Sequence, residues 1–318
     1  MNRNRRLITG ALVSAPFAGL VLRAGNAYAQ GKKYRFGFSQ VTTVEPWRVQ
    51  FNKDMRAEAA KHPNVDLVIA DAADRTDKQN ADMENFIAQK MDVIFISPKE
   101  SSGLTGVVEK AFKAGIPVFV LDRSVNGDAY TQFIGGDNVL IGKGAGEFIV
   151  KTLGGAGAAK GNIVEVWGGF GAQASHDRHD GMMQSVGKEK GLKLVGQRVD
   201  CDWKQDKAYD YMKTVLRVNP DVSLVFGHND PMAYGAYLAA KDAGLEKKMK
   251  FVGADGLPNE GAVWVEHGIL TATFVYPTPG AEGIRQALKL LAGQKIEKKV
   301  ILPTQGIFLE NAKQFVAA

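Results

Sequence analysis

Cysteine is nearly absent from the 318-residue chain, in which Cys201 is the single one. One cysteine cannot form an intrachain disulfide, and no Cys/His cluster has the spacing of a zinc site. Asp71, Asp74 and Asp77 precede a predicted helix, where carboxylates more often interact with the helix dipole than bind a metal. We therefore predict no metal site.

The chain also lacks an apolar run long enough to span a membrane, which takes about 20 residues. The stretch Leu7–Leu22 is shorter, and it is interrupted by Gly10, Ser14, Pro16 and Gly19. It follows three arginines and precedes Ala27-Tyr28-Ala29, which is the order of a signal peptide with an A-x-A cleavage site. We predict that residues 1–29 are removed during export. The pair Arg5-Arg6 leaves the twin-arginine and the general secretory routes both open.

A strong charge of one sign is absent as well. The formal charge is +6 for the whole chain, and residues 1–29 carry four arginines and no acid, so the exported chain has a charge of +2. No stripe of basic and aromatic residues accompanies this small charge. Neither a nucleic acid nor a membrane surface is therefore predicted as a partner.

What the chain does have is a regular alternation of short apolar runs with helical patterns, which predicts βαβ units and parallel sheets. The first group has five predicted strands, at Tyr34–Ser39, Val65–Ala70, Val93–Ser97, Val118–Leu121 and Gln132–Ile134. Its predicted helices are Trp47–Lys61, Lys78–Lys90 and Leu104–Ala114.

The pattern restarts after Gly135-Gly136-Asp137 and predicts a second sheet of the same kind. Its predicted strands are Ile163–Trp167, Leu192–Val199, Leu224–Gly227, Phe251–Ala254 and Thr271–Val275, with helices at His176–Lys190, Asp206–Val218 and Met232–Ala243. The remainder holds one helix, Gly280–Leu291, and the strands Val300–Leu302 and Gly306–Leu309. These are too few for a third domain, so we expect them to join the two existing sheets. The predicted fold class is α/β, with two similar doubly wound parallel-sheet domains and a hinge of several strands.

Polar residues follow the predicted strands at their carboxyl ends, where open parallel sheets bind ligands. They are Ser39-Gln40, Ser97, Asp122-Arg123, His228-Asn229-Asp230 and Asp255-Gly256. Each could instead serve as a turn or a helix cap. Trp47 follows the Glu45-Pro46 turn and Trp203 follows Asp200-Cys201-Asp202. Each ring would either close a core or form a platform for the C–H face of a sugar.

In these residues the chain resembles the ribose-binding-protein family of periplasmic sugar-binding proteins, also called type I or LacI-like, and in particular its galactofuranose-binding branch. The resemblance lies in Gly37–Val41 with Trp47-Arg48, Val118–Ser124, Asp137-Asn138, Asp177-Arg178 with Gly181, His228–Asp230 and Asp255-Gly256. These motifs span nearly the whole exported chain in the order of the family.

The resemblance implies a sugar ligand held between two lobes that close by hinge rotation, without catalysis or cofactor, in the periplasm. The implied ligand-binding residues are Ser39, Gln40, Trp47, Arg48, Asp122, Arg123, His176, Arg178, Trp203, Asn229, Asp255 and Tyr276. His176 and Tyr276 depart from the arginine and glutamine of ribose binders, which puts ribose itself in doubt.

The resemblance also implies hinge crossings near Asp137, Tyr276 and Pro303. The lobes are then residues 30–137 plus 277–303 and residues 138–276 plus 304–318. The implied partners are an ABC-transporter permease and, as an alternative reader of the closed form, a chemoreceptor, with the chain itself a monomer. The repressors of the family carry a DNA-binding headpiece where this chain has its signal peptide.

An exported oxidoreductase with a nucleotide cofactor is the competing prediction. Gly169-Phe170-Gly171-Ala172-Gln173-Ala174 matches the G-x-G-x-x-A fingerprint of dinucleotide-binding folds, between a predicted strand and a predicted helix. The acid expected about 20 residues later at the end of the next strand is missing, and the motif opens the second sheet instead of the first. We therefore prefer a binding protein without catalytic residues.

Overall fold

The computed structural model describes residues 32–317, so the predicted signal peptide lies outside the described residues. In the first half of the chain the strands are β1 (Tyr34–Gln40), β2 (Val65–Asp71), β3 (Val93–Ile96), β4 (Val118–Leu121) and β5 (Gln132–Gly136). The helices between them are α1 (Pro46–Ala59), α2 (Thr76–Ala88) and α3 (Ser101–Lys113).

The second half continues with α4 (Asn138–Thr152), β6 (Lys160–Val166), α5 (Gln173–Val186), β7 (Gly191–Leu194), α6 (Gln205–Val218), β8 (Val222–Gly227), α7 (Asp230–Asp242) and β9 (Lys250–Val252). It ends with α8 (Gly261–Glu266), β10 (Ala272–Phe274), α9 (Gly280–Leu291), β11 (Lys299–Leu302) and β12 (Gly306–Phe308). Two short 3₁₀ helices lie at Glu246–Lys248 and Ala312–Gln314. No helix within residues 32–317 has the length and apolar character needed to span a membrane.

The strands form two six-stranded sheets with corresponding strand orders, β2-β1-β3-β4-β5-β11 and β7-β6-β8-β9-β10-β12. All neighbours are parallel except β10 and β12. The predicted fold class is confirmed, although the first sheet has six strands where the sequence predicted five. The sixth strand, β11, comes from the C-terminal segment, which joins both sheets as predicted.

The chain passes between the sheets three times: after β5, between β10 and β11, and between β11 and β12. In each sheet the strand order reverses beside the first strand of the unit, β1 or β6, and such reversals create a crevice at the carboxyl ends of the strands. Polar residues at these ends are therefore the ones placed to bind a ligand.

Helix α4 was missing from the predicted elements because its glycines resemble loop residues. Gly142 and Gly146 lie against the backbone of α5, where an added Cβ would stand 2.1 Å from the carbonyl oxygen of Arg178 and 2.5 Å from that of Met182. The two helices thus pack with their backbones in contact. The predicted strand Leu192–Val199 was too long, because β7 ends before Gly196, whose φ of +86° lies outside the extended region.

Candidate functional site

A cavity of about 300 Å³ lies between the carboxyl ends of the two sheets. Nine of the twelve predicted ligand-binding residues line it: Trp47, Arg48, Asp122, Arg123, Arg178, Trp203, Asn229, Asp255 and Tyr276. We call the residues from the first half of the chain, Glu45, Trp47, Arg48, Asp122 and Arg123, the first wall. The second wall consists of Arg178, Trp203, Asn229, Asp255 and Glu260. Tyr276 follows both walls in the chain and lies after β10, at the crossing from the second sheet to the first.

Asp122 organises the first wall. It follows the last residue of β4 with a φ of +67°, and its Oδ2 accepts hydrogen bonds from Ser97 Oγ at 2.9 Å and Arg48 Nη2 at 3.3 Å. Arg48 Nη1 also donates to Gln40 Oε1 at 2.8 Å. Because Arg48 is 3% exposed, these partners hold its guanidinium in one orientation.

Trp47 and Tyr276 form an aromatic surface on the cavity. Their ring centroids are 5.3 Å apart, and Trp47 Nε1 donates to the carbonyl oxygen of Tyr276 at 2.8 Å. The Tyr276 hydroxyl donates to Asp122 Oδ1 at 3.0 Å. A residue of the crossing between the sheets is thereby bonded to the first wall.

Two guanidinium groups contact the ring of Trp203, with Arg123 4.9 Å and Arg178 5.4 Å from its centroid. Arg178 Nε donates to Asn138 Oδ1 at 2.9 Å, and its Nη1 donates to the carbonyl oxygen of His228. Burial and the charge of Arg48 lower the pKa of Arg123 to about 10, which leaves the group positively charged at neutral pH. The site thus combines aromatic rings with fixed cationic donors.

Asn229 and Asp255 differ in how far the protein satisfies them. Asn229 caps α7 by accepting from the Met232 amide at 3.0 Å, and its Nδ2 donates to the Trp203 carbonyl at 3.0 Å. The carboxylate of Asp255 makes no hydrogen bond or ion pair with any of residues 32–317, although only 8% of the residue is exposed. Burial and the charge of Asp230 raise the pKa of Asp255 well above its usual value. The fold thus leaves both carboxyl oxygens of Asp255 available to a ligand.

Three predicted residues are not brought to the cavity. The Ser39 hydroxyl donates to Asp82 Oδ2 at 3.3 Å, and Gln40 bonds Arg48 and Asn52, so both lie beneath the first wall. His176 is two residues from Ala174 and from Arg178, both of which line the cavity, and is therefore about 200° away around α5. Its Nε2 contacts the Phe170 carbonyl at 2.9 Å, and the ring packs on Trp167.

The sequence analysis did not identify several residues that line the same cavity: Glu45, Lys204, Gln205, Asp206 and Glu260. Glu260 directly precedes α8, in a loop where nothing distinguishes it from an ordinary surface acid. Burial and the charge of Asp230 raise the pKa of Glu260 to about 7. The raised pKa of Glu260 could be inferred only from the fold.

The glycine motif that suggested a nucleotide cofactor is occupied by protein side chains. A Cβ at Gly169 would lie 3.0 Å from Trp203 Nε1, and one at Gly171 would lie 2.6 Å from Glu100 Cγ. The Phe170 amide, a donor that a phosphate would use, instead donates to Asp200 Oδ2 at 3.0 Å. The glycines permit close packing of Trp203, and this loop offers no room for a pyrophosphate.

Four charged residues bridge the mouth of the cleft, and we call Asp74, Lys99, Asp202 and Lys204 the cleft-mouth cluster. Lys99 Nζ lies 2.5 Å from Asp74 Oδ1 and 3.2 Å from Asp202 Oδ1. Lys204 pairs with Asp74 and, at 2.9 Å, with Asp202. Burial disfavours the ionised form of Asp202, but the hydrogen bond from Lys204 and the charge of Lys99 outweigh it and lower its pKa to about 2.

A backbone contact accompanies this cluster, because the Ser101 amide donates to the Gly171 carbonyl at 2.9 Å. The loops after β3 and after β6, which face each other across the cleft, are therefore in direct contact in this structure.

Beside the cluster, Cys201 is fully buried, and burial together with the charge of Asp200 raises its pKa to about 12.

The comparisons with known proteins agree with this architecture. The family described as periplasmic binding protein domain matches residues 36–295. The ribose import binding protein of Escherichia coli strain K12 is 34% identical over 81% of this chain and 85% of its own length. The galactofuranose-binding protein of the same strain is 31% identical over 80% of this chain and 79% of its own.

Solved structures give the same result. The fructose-binding periplasmic domain of a hybrid two-component system is 36% identical and superposes with a TM-score of 0.84 over 88% of this chain and 92% of its own. A galactofuranose-binding protein is 29% identical with a TM-score of 0.82 over 88% of this chain and 96% of its own. Neither the relatives nor the glycine loop supports the oxidoreductase prediction. The chain belongs to the periplasmic binding protein family, among its sugar-binding members.

Proposed function

We propose that this protein binds one small sugar or polyol between its two walls and closes around it. The observation that carries the proposal is the cavity itself, where Trp47, Trp203 and Tyr276 supply aromatic surface and Asp255 leaves a carboxylate unpaired. Sugars present C–H faces to aromatic rings and hydroxyl donors to carboxylates. The volume of about 300 Å³ lies in the range of small-molecule sites.

The lobes that close are the two predicted from the sequence, residues 30–137 with 277–303 and residues 138–276 with 304–318. The three passages between the sheets, near Asp137, Tyr276 and Pro303, act as the hinge. A ligand that contacts both walls stabilises the closed state over the open one, and this difference in affinity drives the closure.

The protein acts as a monomer after export and cleavage behind Ala29, and it delivers its ligand to an ABC-transporter permease without chemical change. Solved relatives named as solute-binding proteins of ABC transporters support this partner. The two-component relative supports a sensor as an alternative reader of the closed form. No residue of the cavity is assigned a catalytic role.

A ligand screen on residues 30–318 tests the proposal. We expect a thermal shift and a calorimetric binding signal with at least one of ribose, fructose, arabinose, allose, galactose or myo-inositol, and none with NAD or NADP. The bound sugar should be recovered unchanged. Binding of a nucleotide cofactor in the absence of any sugar or polyol signal would contradict the proposal and restore the oxidoreductase prediction.

A further inference from the structure

The second wall carries more acidic side chains than the protein provides with partners. Asp255 and Glu260 line the cavity, and Asp230 lies directly behind them with its carboxylate against Gly253 and Gly261. Asp230 accepts hydrogen bonds from the Gly256 amide at 2.7 Å and from the Thr273 hydroxyl at 2.5 Å. The side chains of Asp255 and Glu260 have no such partner among residues 32–317.

The cations of the cavity do not pair with these acids. On the first wall, Arg48 pairs with Asp122 at 3.3 Å and with Glu45 at 3.4 Å, and Arg123 also lies beside Asp122, at 3.8 Å. That wall has two arginines and two acids. On the second wall Arg178 alone faces the three acids, and its guanidinium bonds Asn138 and the His228 carbonyl instead of a carboxylate.

Two unpaired carboxylates in a half-enclosed site favour a ligand group that brings positive charge as well as hydrogen-bond donors. A hydroxyl offers one donor and no charge, whereas an ammonium offers three donors and a full charge. Charge-assisted hydrogen bonds are roughly twice as strong as neutral ones, and the gain increases where water is excluded. Lys204, the remaining cation at the cavity, already pairs with Asp74 and Asp202.

We infer that the preferred ligand is a sugar or polyol with a protonated amino group, which Asp255 and Glu260 bind on the second wall. The inference rests on the proposed function and narrows its ligand class. The remaining hydroxyls of such a ligand lie toward Arg123 and Asp122 and against the rings of Trp47 and Trp203. Glu260 is then a residue that determines specificity, beyond those predicted from the sequence.

Matched pairs of ligands that differ only by hydroxyl or amine test the inference. The pairs are glucose with glucosamine, galactose with galactosamine, and myo-inositol with its monoamino derivative, each measured by titration calorimetry at pH 6.5, where the amino groups are protonated. In at least one pair we expect the amine to bind about tenfold or more tightly, as one additional charge-assisted hydrogen bond implies. A hydroxyl member that binds equally or more tightly in every pair that binds would overturn the inference and leave the proposed function intact.

Variants of two acids at opposite ends of the short helix α8 identify the residue responsible for the preference for the amine. Glu260→Gln should reduce the preference for the amine to about threefold or less, because it removes one of two charges. Glu266→Gln makes the same change at the far end of α8, outside the cavity, and should keep the full preference. If Glu260→Gln fails to fold, the wild-type ligand pairs still decide the question.

Proton release gives a readout independent of affinity. Binding a cation favours the ionised forms of Glu260 and Asp255, so amine binding should release protons and strengthen as the pH rises from 5 to 6.5, a range in which the ligand's own amino group stays protonated. Asp230, Arg178 and Asp122 are the other charged groups that act on Asp255, and they remain in both Glu variants. Calorimetry in buffers of different ionisation enthalpy measures the release. Equal proton release by amine and hydroxyl ligands would contradict the inference, and absence of binding by either member of every pair would contradict the proposed function itself.

Discussion

Three residues of the site have backbone conformations that side chains rarely adopt. The φ angles are +67° at Asp122, +66° at Trp203 and +132° at Asp255. Such conformations cost on the order of 1–2 kcal/mol each and persist where the surroundings fix them. Hydrogen bonds fix Asp122 through Ser97, Arg48 and Tyr276, so its strain keeps a carboxylate at the carboxyl end of β4.

Asp122→Asn is the substitution that tests this residue. We expect ligand affinity to fall about 10- to 100-fold, because the amide cannot accept from both Arg48 and a ligand as the charged group does. The unfolding free energy should also fall by about 1–3 kcal/mol, since Arg48 is left buried with a weaker partner. Titration calorimetry and denaturation measure the two effects. The exposed Asp128→Asn, in the loop after β4, is the control, and equal affinities for the two variants would refute the role of Asp122.

At the scale of single residues, the sequence predicts which polar residues lie at the ends of strands, but not the direction in which their side chains point. Ser39, Gln40 and Asp122 all follow or end apolar runs, yet only Asp122 reaches the cavity. Gln40 is covered by Arg48, and Ser39 is directed toward Asp82 on α2. These directions depend on neighbouring strands and helices that are far away in the chain.

Among the elements, the loops after β2, after β3 and before α6 matter most for closure, because together they carry the cleft-mouth cluster. Asp74 and Asp202 both have positive φ, at +60° and +50°, which turns the loops toward each other. Their side chains and those of Lys99 and Lys204 are between 17% and 34% exposed, so salt screens their pairing only partly. The cluster stabilises the closed form before any ligand contributes.

Lys204→Met should therefore weaken ligand binding about two- to fivefold, as expected for a partly exposed ion pair worth roughly 0.3–1 kcal/mol. The binding constant of the variant should also depend less on salt than that of the wild type. Lys207→Met is the matched control, because Lys207, in the first turn of α6, pairs with Asp202 at 3.4 Å and does not cross the cleft. If both variants bind as the wild type does, the cluster has no part in closure.

Elements with strong apolar patterns were predictable, and elements defined by backbone contact were not. The strand Val118–Leu121 and the helix Gly280–Leu291 have the predicted bounds. Helix α4 escaped prediction because Gly142 and Gly146 lower helix propensity, while their lack of a side chain is what lets α5 approach. The six-residue α8 is too short to leave a periodic pattern.

At the scale of the whole molecule, the repeated alternation of strands and helices was enough to predict two similar sheets. The contacts that hold the sheets in a closed arrangement were not predictable, because they join residues about 70 to 130 positions apart, as in the bond from Ser101 to Gly171 and the pair of Lys204 with Asp74. Long-range pairing of this kind depends on the complete fold.

A disulfide across the cleft should trap the closed form. A Cβ built at Gly171 lies 3.2 Å from the Cβ of Glu100, close to the 3.5–4.5 Å of natural disulfides. In the oxidised variant with Glu100→Cys and Gly171→Cys, the rate of ligand exchange should fall at least about a hundredfold, and a reductant should restore it. Stopped-flow fluorescence of the site tryptophans follows the exchange. Gly171→Cys alone is the control, and rapid exchange by the oxidised pair would show that the cleft does not open for ligand entry.

The burial of Cys201 has a practical consequence for such measurements. Its thiol is enclosed and has a pKa of about 12, so it remains protonated and inaccessible to alkylating dyes at neutral pH. A single cysteine introduced on an exposed part of either loop would therefore be the sole labelling position without removal of the natural one. A fluorophore placed there would report cleft movement in real time, which makes this protein a ready scaffold for an optical sensor of its own ligand.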